Sequence, residues 1–221
     1  QLRANLRRGV SPFNGQPYSF CVPSNVTYPY QWFWDSCFHA IVWSYIDVEQ
    51  AKEELRTLLR AQKPNGRIPH RTAWERQRLY PYRFYLHSTS WRHPAHSRLV
   101  QPPLLAQAVE AVFRRSGDRG FLADALPRTE RLYRWLSRNR DPDGDGLLSI
   151  IHPYECGLDH KPSFDIVFGF RGPSARGTTT AVRLLDVEIA SAHLRCPRGD
   201  NNISCSDALT IGTAKCVRYY R

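Results

Sequence analysis

Apolar residues recur every three to four positions along much of the chain, a spacing that predicts α-helices. The first such pattern begins at Ser36 and includes Cys37, Phe38, Ile41, Val42 and Tyr45. The second runs through Val48, Ala51, Leu55, Leu58 and Leu59. Asp47 precedes it as a predicted N-cap with Gln50 three residues later, which is the spacing of a capping box. The turn sequence at 64–66 ends this second helix.

Two further helices are predicted in the middle of the chain. Pro102 and Pro103 favour a helix start, and apolar residues follow at 104, 105, 108, 109, 112 and 113. Gly117 is placed to cap its end. A fourth helical pattern spans about 118–138, and we expect Pro127 to divide it.

A last helical pattern covers about 180–194, beyond which the periodicity fades. No segment shows convincing strand alternation, so the sequence predicts an all-α protein. Residues 1–35 favour loop and short extended pieces. Residues 63–100 favour a long loop, and long loops in compact domains are usually functional or disordered.

Neither a metal nor a cofactor is expected. Asp141, Asp143 and Asp145 resemble the start of a calcium loop, but the twelfth position is His152 where an EF-hand has glutamate. A solvated turn is therefore the favoured interpretation. The six cysteines form no CxxC pair, which argues against a zinc knuckle.

Composition narrows the class of protein. The chain is long enough for one domain with a core, and 42% hydrophobic and 23% charged residues are typical of a globular protein. Aromatic residues make up 12%, a surplus that often serves a pocket wall, a stacking platform or an interface. No apolar run reaches the length of a membrane span, and no signal peptide is seen. We therefore expect a cytoplasmic protein with no membrane partner.

The net charge of +11 is carried almost wholly by arginine. A basic balance can indicate acidic partners or nucleic acid. The charges are scattered along the chain and form no dense stripe. A bias toward arginine is therefore the favoured interpretation, and nucleic acid is the less favoured partner.

The segment 28–35 combines aromatic rings with a carboxylate. Its sequence is Tyr-Pro-Tyr-Gln-Trp-Phe-Trp-Asp. Sugar rings present apolar C–H faces that stack on aromatic rings, while an ionised Asp35 can accept hydrogen bonds from two neighbouring hydroxyls. The alternative is an aromatic core anchor in which Asp35 caps the following helix. Both interpretations can hold together.

The segment 151–159 places two carboxylates, Glu155 and Asp159, four residues apart. Glycoside hydrolysis needs one carboxylic acid to protonate the leaving oxygen and a second carboxylate to activate water or to attack. Gly157 between them would let the backbone approach a ligand closely. The alternative is a loop with two solvated acids.

Taken in order, these motifs resemble a known family. The pattern YxxxWxWD at 28–35, RIPH at 67–70, QPP at 101–103 and HPYECGLD at 152–159 resemble inverting glycoside hydrolases with an (α/α)6 barrel. The resemblance is greatest to bacterial mannosylglycerate and glucosylglycerate hydrolases of the glucosidase-I-like family, with trehalase more distant. It implies that residues 1–194 form the N-terminal part of a helical-barrel domain, a partial six-hairpin toroid. Residues 195–221 remain a tail of uncertain structure.

The resemblance also implies roles for individual residues. Asp159 matches the general acid. Trp32, Trp34 and Asp35 match the floor of the subsite for the non-reducing sugar, and Tyr28 matches a further contact there. His70 and Gln101 match residues that reach sugar hydroxyls, and Gly157 matches a backbone contact. Glu155 is interpreted as shaping the pocket, because it lies too near Asp159 in sequence to act on the opposite face of a sugar.

The chain also departs from the family pattern. After GLD, relatives usually have Asn or Asp, then Ser-Pro and Trp-Asp, whereas residues 160–165 here are His-Lys-Pro-Ser-Phe-Asp. The general base of the family is a glutamate in the C-terminal half of the barrel, and no such motif follows in these residues. We therefore expect an N-terminal fragment with the acid and without the base.

The implied reaction is hydrolysis of an α-glycoside with inversion, on mannosylglycerate, glucosylglycerate or a small α-glucoside. An acidic aglycone would suit an arginine-rich rim that includes Arg71, Arg76 and Arg83. The alternative function is a non-catalytic helical module that binds carbohydrate or nucleic acid, suggested by the arginine and aromatic content. The sequence leaves the oligomeric state open.

Overall fold

Four α-helices and six short strands make up the described part of the chain. The structure is a computed structural model, and it describes residues 1–76, 89–90, 93–141, 144, 146–149 and 155–157. The helices are α1 (Phe33–Trp43), α2 (Val48–Arg60), α3 (Leu105–Ser116) and α4 (Arg119–Asn139). The strands are β1 (Leu6–Val10), β2 (Pro17–Cys21), β3 (Gln31–Trp32), β4 (Arg71–Thr72), β5 (Thr89–Ser90) and β6 (His93–Ser97). Asp159 and the helix predicted over 180–194 lie outside the described residues.

The core lies where the four helices meet. On α2 the predicted leucines are buried, since Leu55, Leu58 and Leu59 are at most 1% exposed. They pack in one cluster with side chains of the other three helices: Phe33, Cys37, Ala40, Trp43, Leu105, Ala108, Val109, Val112, Phe121, Ala125, Leu132 and Leu136. Burial of this apolar surface is the main force that holds the helices together.

Local signals set the ends of two helices as predicted. Asp47 Oδ1 accepts a hydrogen bond from the Gln50 N–H at 3.0 Å, which confirms the N-cap of α2. Gly117 follows α3 in the left-handed conformation with φ 62°, which confirms its C-cap. The start of α3 is Leu105, two residues after the proline pair.

Helix α1 starts earlier than predicted. It begins at Phe33, and Trp32 occupies the N-cap position. Asp35 therefore lies inside the first turn, so the alternative interpretation that it caps the helix is wrong. Its negative charge in this turn still interacts favourably with the helix dipole.

Pro127 does not divide the fourth helix, contrary to the prediction. Helix α4 continues through it, from Arg119 to Asn139. A proline removes the hydrogen bond to the carbonyl four residues earlier, here that of Ala123. Both residues lie on the exposed face of α4, where water can satisfy that carbonyl. The opposite face is held in the core on both sides of the proline, by Phe121 before it and Leu132 after it.

The prediction of an all-α protein holds only in part, because the described residues combine the four helices with six short strands. Strands β1 and β2 form an antiparallel hairpin, with Leu6 opposite Cys21 and Val10 opposite Pro17. Strands β3, β4, β6 and β5 form a second sheet in that order, partly within the region predicted as a long loop. Period-two alternation could not reveal them, because β2 is buried on both faces and β3 and β4 have two residues each.

Three cysteines in the described ranges, Cys21, Cys37 and Cys156, are buried free thiols. Among the helices that the structure describes, none combines the length and apolar character needed to cross a membrane.

Candidate functional site

The rings of Tyr28 and Trp32, together with the imidazole of His70, form a row. The rings of Tyr28 and Trp32 meet edge to face with centroids 5.7 Å apart, and those of Trp32 and His70 meet in the same way at 5.2 Å. Tyr28 is 43% exposed, whereas Trp32 and His70 are buried. The row therefore runs from the surface into the protein, with its open end at Tyr28.

Pairing of β3 with β4 brings His70 to this row. Trp32 lies opposite Arg71 in the ladder, and the Phe33 N–H donates to the His70 carbonyl at 2.9 Å. The His70 N–H donates to the Leu99 carbonyl at 3.0 Å, and its Nδ1 hydrogen-bonds to the Ser97 hydroxyl. These contacts fix the orientation of the imidazole beside Trp32.

Gln101 joins this region to the start of α1. Its Oε1 accepts a hydrogen bond from the Trp34 N–H at 3.0 Å. The N–H groups of a helix's first turn have no partner within the helix, so Gln101 supplies one from 67 positions away in the sequence. Its carbonyl oxygen is thereby engaged at the start of α1.

Gly157 lies against the indole ring of Trp34. Its φ is +72°, and a Cβ at this position would approach Cζ3 of Trp34 to 2.7 Å and Cη2 more closely still. Real Cβ atoms do not come so near, so only glycine fits here. The 155–157 segment therefore packs against the Trp34 indole ring near the start of α1.

Glu155 anchors the same segment. It is 1% exposed, and its Oε1 accepts hydrogen bonds from the Val100 N–H at 3.1 Å and from Arg140 Nη2 at 2.6 Å. The alternative of a solvated acid is wrong for Glu155. Its oxygen is committed to a buried ion pair, which suits a residue that shapes the site.

Asp35 lies one residue beyond Trp34 and is half-buried. Burial raises the pKa of its carboxyl, while the nearby His39, its own backbone N–H and Trp34 act in the opposite direction. His39 follows Asp35 by one helical turn.

One group of side chains in the described part of the chain could hold a metal ion. Ligand atoms of Cys21, His39 and Glu54 lie within 4.8 Å of one another. Burial raises the pKa of the Cys21 thiol to about 12, and the Trp43 indole N–H donates to its sulfur at 3.1 Å. With its thiol protonated and hydrogen-bonded, the group resembles a hydrogen-bonded cluster in the core more than a metal site. Sequence reasoning missed it, since His39 and Glu54 belong to no motif.

The structure places seven of the eight candidate residues in one region. Contacts join Tyr28, Trp32 and His70 into one row, and Trp34, Gln101 and Gly157 into a second group beside it. Asp35 follows directly on α1.

Arg71 is buried, with its guanidinium 4.6 Å from the Tyr30 ring centroid. It lies in the interior and therefore does not belong to the predicted arginine-rich rim. Asp141 is also buried, so the turn predicted there is not solvated at its first residue.

Comparison with known proteins identifies the family to which this arrangement belongs. Residues 28–203 match the mannosylglycerate hydrolase MGH1-like glycoside hydrolase domain. The chain belongs to this family. The resemblance inferred from the four motifs is thereby confirmed.

Curated members of this glycoside hydrolase family align with about two thirds of the chain. It is 37% identical over 153 residues to mannosylglycerate hydrolase of Thermus thermophilus, covering 66% of this chain and 37% of that protein. It is 33% identical over 156 residues to glucosylglycerate hydrolase of Mycolicibacterium hassiacum, covering 64% and 35% respectively. The chain therefore spans about a third of the length of these relatives.

A solved structure gives the same result. A GH63 mannosylglycerate hydrolase from Thermus thermophilus, in complex with Tris and D-glycerate, superposes with a TM-score of 0.64 at 33% identity. The match covers 81% of this chain and 42% of that one. The fold of the described residues is thus that of one portion of a GH63 hydrolase.

Proposed function

We propose that this chain forms the sugar-binding portion of a glycoside hydrolase that cleaves a small α-glycoside with inversion. The relatives named above support mannosylglycerate or glucosylglycerate as the substrate class. The observation that carries the proposal is the contact of Gly157 with Trp34, because it brings the segment preceding Asp159 onto the aromatic and carboxylate residues of 28–35.

In this proposal the aromatic residues bind the non-reducing sugar. Trp32 and Trp34 form the floor of its subsite, with Tyr28 as a further contact at the exposed end of the row. Asp35 accepts hydrogen bonds from sugar hydroxyls, and His70 and Gln101 contribute further polar contacts. The close approach of the Gly157 backbone to Trp34 supports its role as a backbone contact to the same sugar.

Asp159 is the proposed general acid. It follows Gly157 by two residues, and chain geometry limits the distance between their Cα atoms to about 7 Å. Its carboxylic acid would protonate the glycosidic oxygen while water attacks the anomeric carbon from the opposite face. Inverting enzymes separate their two carboxyl groups by about 6.5–9.5 Å to admit that water. Glu155 is unsuited to activate it, because its Oε1 is held by Arg140.

The proposed base is therefore a glutamate outside the 155–159 segment, located in another part of the barrel. We propose that residues 1–194 form one portion of an (α/α)6 barrel, with 195–221 as a tail. The match to a GH63 structure over 81% of this chain and 42% of that one supports this division of the site between two portions.

Binding to the 221-residue chain tests the proposal directly. Isothermal titration with mannosylglycerate and glucosylglycerate should show binding to the native chain and to Asp159→Asn. Trp34→Ala should weaken it at least tenfold. Phe13→Ala serves as the control, because Phe13 is an exposed aromatic residue in the hairpin outside the site. Absence of binding to the native chain would overturn the proposal.

Hydrolysis, followed by NMR of the released sugar, tests the chemistry. If the chain turns over, the first product must be the β-anomer, and Asp159→Asn must abolish its formation. Undiminished turnover by Asp159→Asn, or initial release of the α-anomer, would contradict the roles given above.

A further inference from the structure

The hydroxyl of Ser97, at the end of β6, contacts the chain at the start of β4. Its Oγ accepts a hydrogen bond from the Arg71 N–H at 3.2 Å and also hydrogen-bonds to Nδ1 of His70. Ser97 is 0% exposed, so bulk water does not reach this hydroxyl. Pairing of β4 with β6, in which Thr72 lies opposite His96, brings these groups together.

The two contacts of this hydroxyl determine where its hydrogen atom lies. A serine hydroxyl has one hydrogen to donate and two lone pairs that accept. A backbone N–H can only donate, so the contact with Arg71 uses a lone pair of Ser97 Oγ. Among the described residues, His70 Nδ1 is the only other hydrogen-bond partner of this hydroxyl. The hydroxyl hydrogen is therefore directed to Nδ1.

A hydrogen bond in this direction decides the protonation of the imidazole. Nδ1 accepts only when it carries no proton, so the ring of His70 is neutral and its proton lies on Nε2. The Nδ1–H tautomer and the imidazolium would each direct a second N–H to Ser97 Oγ. The buried hydroxyl hydrogen would then have no acceptor among the described residues, which is unfavourable. The hydrogen-bond network thus selects one tautomer.

Backbone contacts on both sides hold the two side chains in place. The His70 N–H donates to the Leu99 carbonyl at 3.0 Å, and the His70 carbonyl accepts from the Phe33 N–H at 2.9 Å. The Ser97 carbonyl accepts from Arg67 Nη1 at 3.1 Å. Turning the imidazole over would place a carbon against Ser97 Oγ in place of Nδ1 and lose the hydrogen bond. One orientation of the ring is therefore favoured.

We propose that Ser97 is a positioning residue, which holds His70 as the neutral Nε2–H tautomer so that the imidazole donates a hydrogen bond to a hydroxyl oxygen of the sugar. The choice of tautomer depends on the contacts of Ser97, and only its use on a sugar rests on the proposed function. In the proposed site an ionised Asp35 can only accept hydrogen bonds. His70 and Asp35 thus recognise sugar hydroxyls in opposite senses, one as a donor and the other as an acceptor.

Two-bond ¹H–¹⁵N NMR spectra of the 221-residue chain test the tautomer directly. They are recorded at about pH 8, above the ordinary imidazole pKa of about 6.5, and the signals that are absent from His70→Gln belong to His70. Nε2 should show the ¹⁵N shift of a protonated nitrogen, and Nδ1 that of an unprotonated nitrogen that accepts a hydrogen bond. A protonated Nδ1 would overturn the proposal.

Substitution of Ser97 tests its part in this arrangement. Ser97→Ala should shift the Nδ1 signal toward that of a free imidazole base, whereas Ser97→Thr keeps a hydroxyl and should retain the native signal. A role in packing alone predicts no such recovery. Ser44→Ala is the matched control, because it removes another buried hydroxyl, one that donates to the Ile41 carbonyl at 2.7 Å. An Nδ1 shift that is equal in the native chain and in Ser97→Ala would refute the positioning role.

A third substitution keeps the test decisive if either variant fails to fold. Ser97→Cys retains nearly the same side-chain size and has a thiol, which is a weaker donor than a hydroxyl. It should therefore move the Nδ1 signal in the same direction as the alanine variant. An unchanged signal would again count against the proposal.

Sugar binding separates this inference from the proposed function. Affinity for mannosylglycerate or glucosylglycerate should fall roughly three- to tenfold in Ser97→Ala, as expected for one weakened hydrogen bond, and recover in Ser97→Thr. Nε2 should stay protonated in the complex, and transfer of its proton to Nδ1 there would rule out the donor role. If the NMR shifts respond as expected and no sugar binds to any variant, the positioning role stands and the proposed function fails. If sugar binds while Ser97→Ala leaves the Nδ1 shift unchanged, the reverse holds.

Discussion

The backbone of Gly157 lies against the indole ring of Trp34 so closely that a side chain at position 157 would overlap the ring. The two residues are far apart in the sequence, in an aromatic segment and in a glycine-containing loop. Their contact joins the two motifs into one site. It is reinforced by Glu155, which ties the same loop to Arg140 and to the Val100 N–H.

Substitution of Gly157 should therefore be more harmful than its backbone conformation alone predicts. Gly157→Ala places a Cβ at φ +72° and against Trp34, whereas Gly144→Ala meets the same strain at φ +70° with no atom within 4 Å. The left-handed conformation costs an alanine about 1–2 kcal/mol. We expect Gly144→Ala to lose about that much stability and Gly157→Ala to lose more, as measured by urea unfolding. Equal losses would show that Trp34 moves away without cost.

Gln101 should stabilise the start of α1. Gln101→Leu removes the acceptor for the Trp34 N–H, and loss of a capping acceptor costs about 0.5–2 kcal/mol. Gln101→Glu keeps an oxygen there and adds a negative charge at a helix N-terminus, so its loss should be smaller. Urea unfolding of both variants provides the comparison. A Glu variant as unstable as the Leu variant would count against capping.

The ion pair of Glu155 with Arg140 should show strong coupling. Both side chains are at most 8% exposed, with Oε1 and Nη2 2.6 Å apart. Removal of one partner of a buried pair leaves an uncompensated charge and costs about 3–5 kcal/mol. We expect Glu155→Gln to be strongly destabilising, and Glu155→Gln with Arg140→Met to recover part of the loss. Additive effects in this double-mutant cycle would exclude the pair as a coupled unit.

Asp118 should make stability depend on pH in the acid range. The Lys52 ammonium, 2.7 Å away, is the main cause that lowers the Asp118 pKa to about 2, with further help from the Phe121 N–H. Because this pKa is depressed in the folded protein, the stabilisation is complete above the unfolded value near 3.8 and is lost as pH falls toward 2.

Asp118→Asn isolates that charge, since asparagine can still cap α4 through the Phe121 N–H. Urea unfolding of both proteins is measured at pH 5, 4 and 3. At pH 5 the native chain should be more stable than Asp118→Asn. The difference from Asp118→Asn should shrink as the pH falls. A difference that stays constant across this range would show that the carboxylate charge contributes nothing.

Much of the candidate site could be predicted from the sequence, because the residues proposed for it stand in short motifs. Trp32, Trp34 and Asp35 lie within four positions, and Gly157 stands beside the proposed acid. The positions of His39 and Glu54 could not be foreseen. They lie on different helices, and only the packing of α1 against α2 and β2 brings them within 4 Å.

Short-range signals in the sequence determined where α2 begins and where α3 ends. Asp47 and Gly117 act on backbone groups a few residues away, so α2 and α3 begin or end as expected. The tertiary structure decided the rest. Phe38, Val42 and Tyr45 follow helical spacing and yet are 46%, 46% and 67% exposed, since α1 turns Phe33, Cys37 and Ala40 toward the core instead. An apolar pattern marks a helix that can be buried, but which of its faces is buried depends on the elements that pack against it.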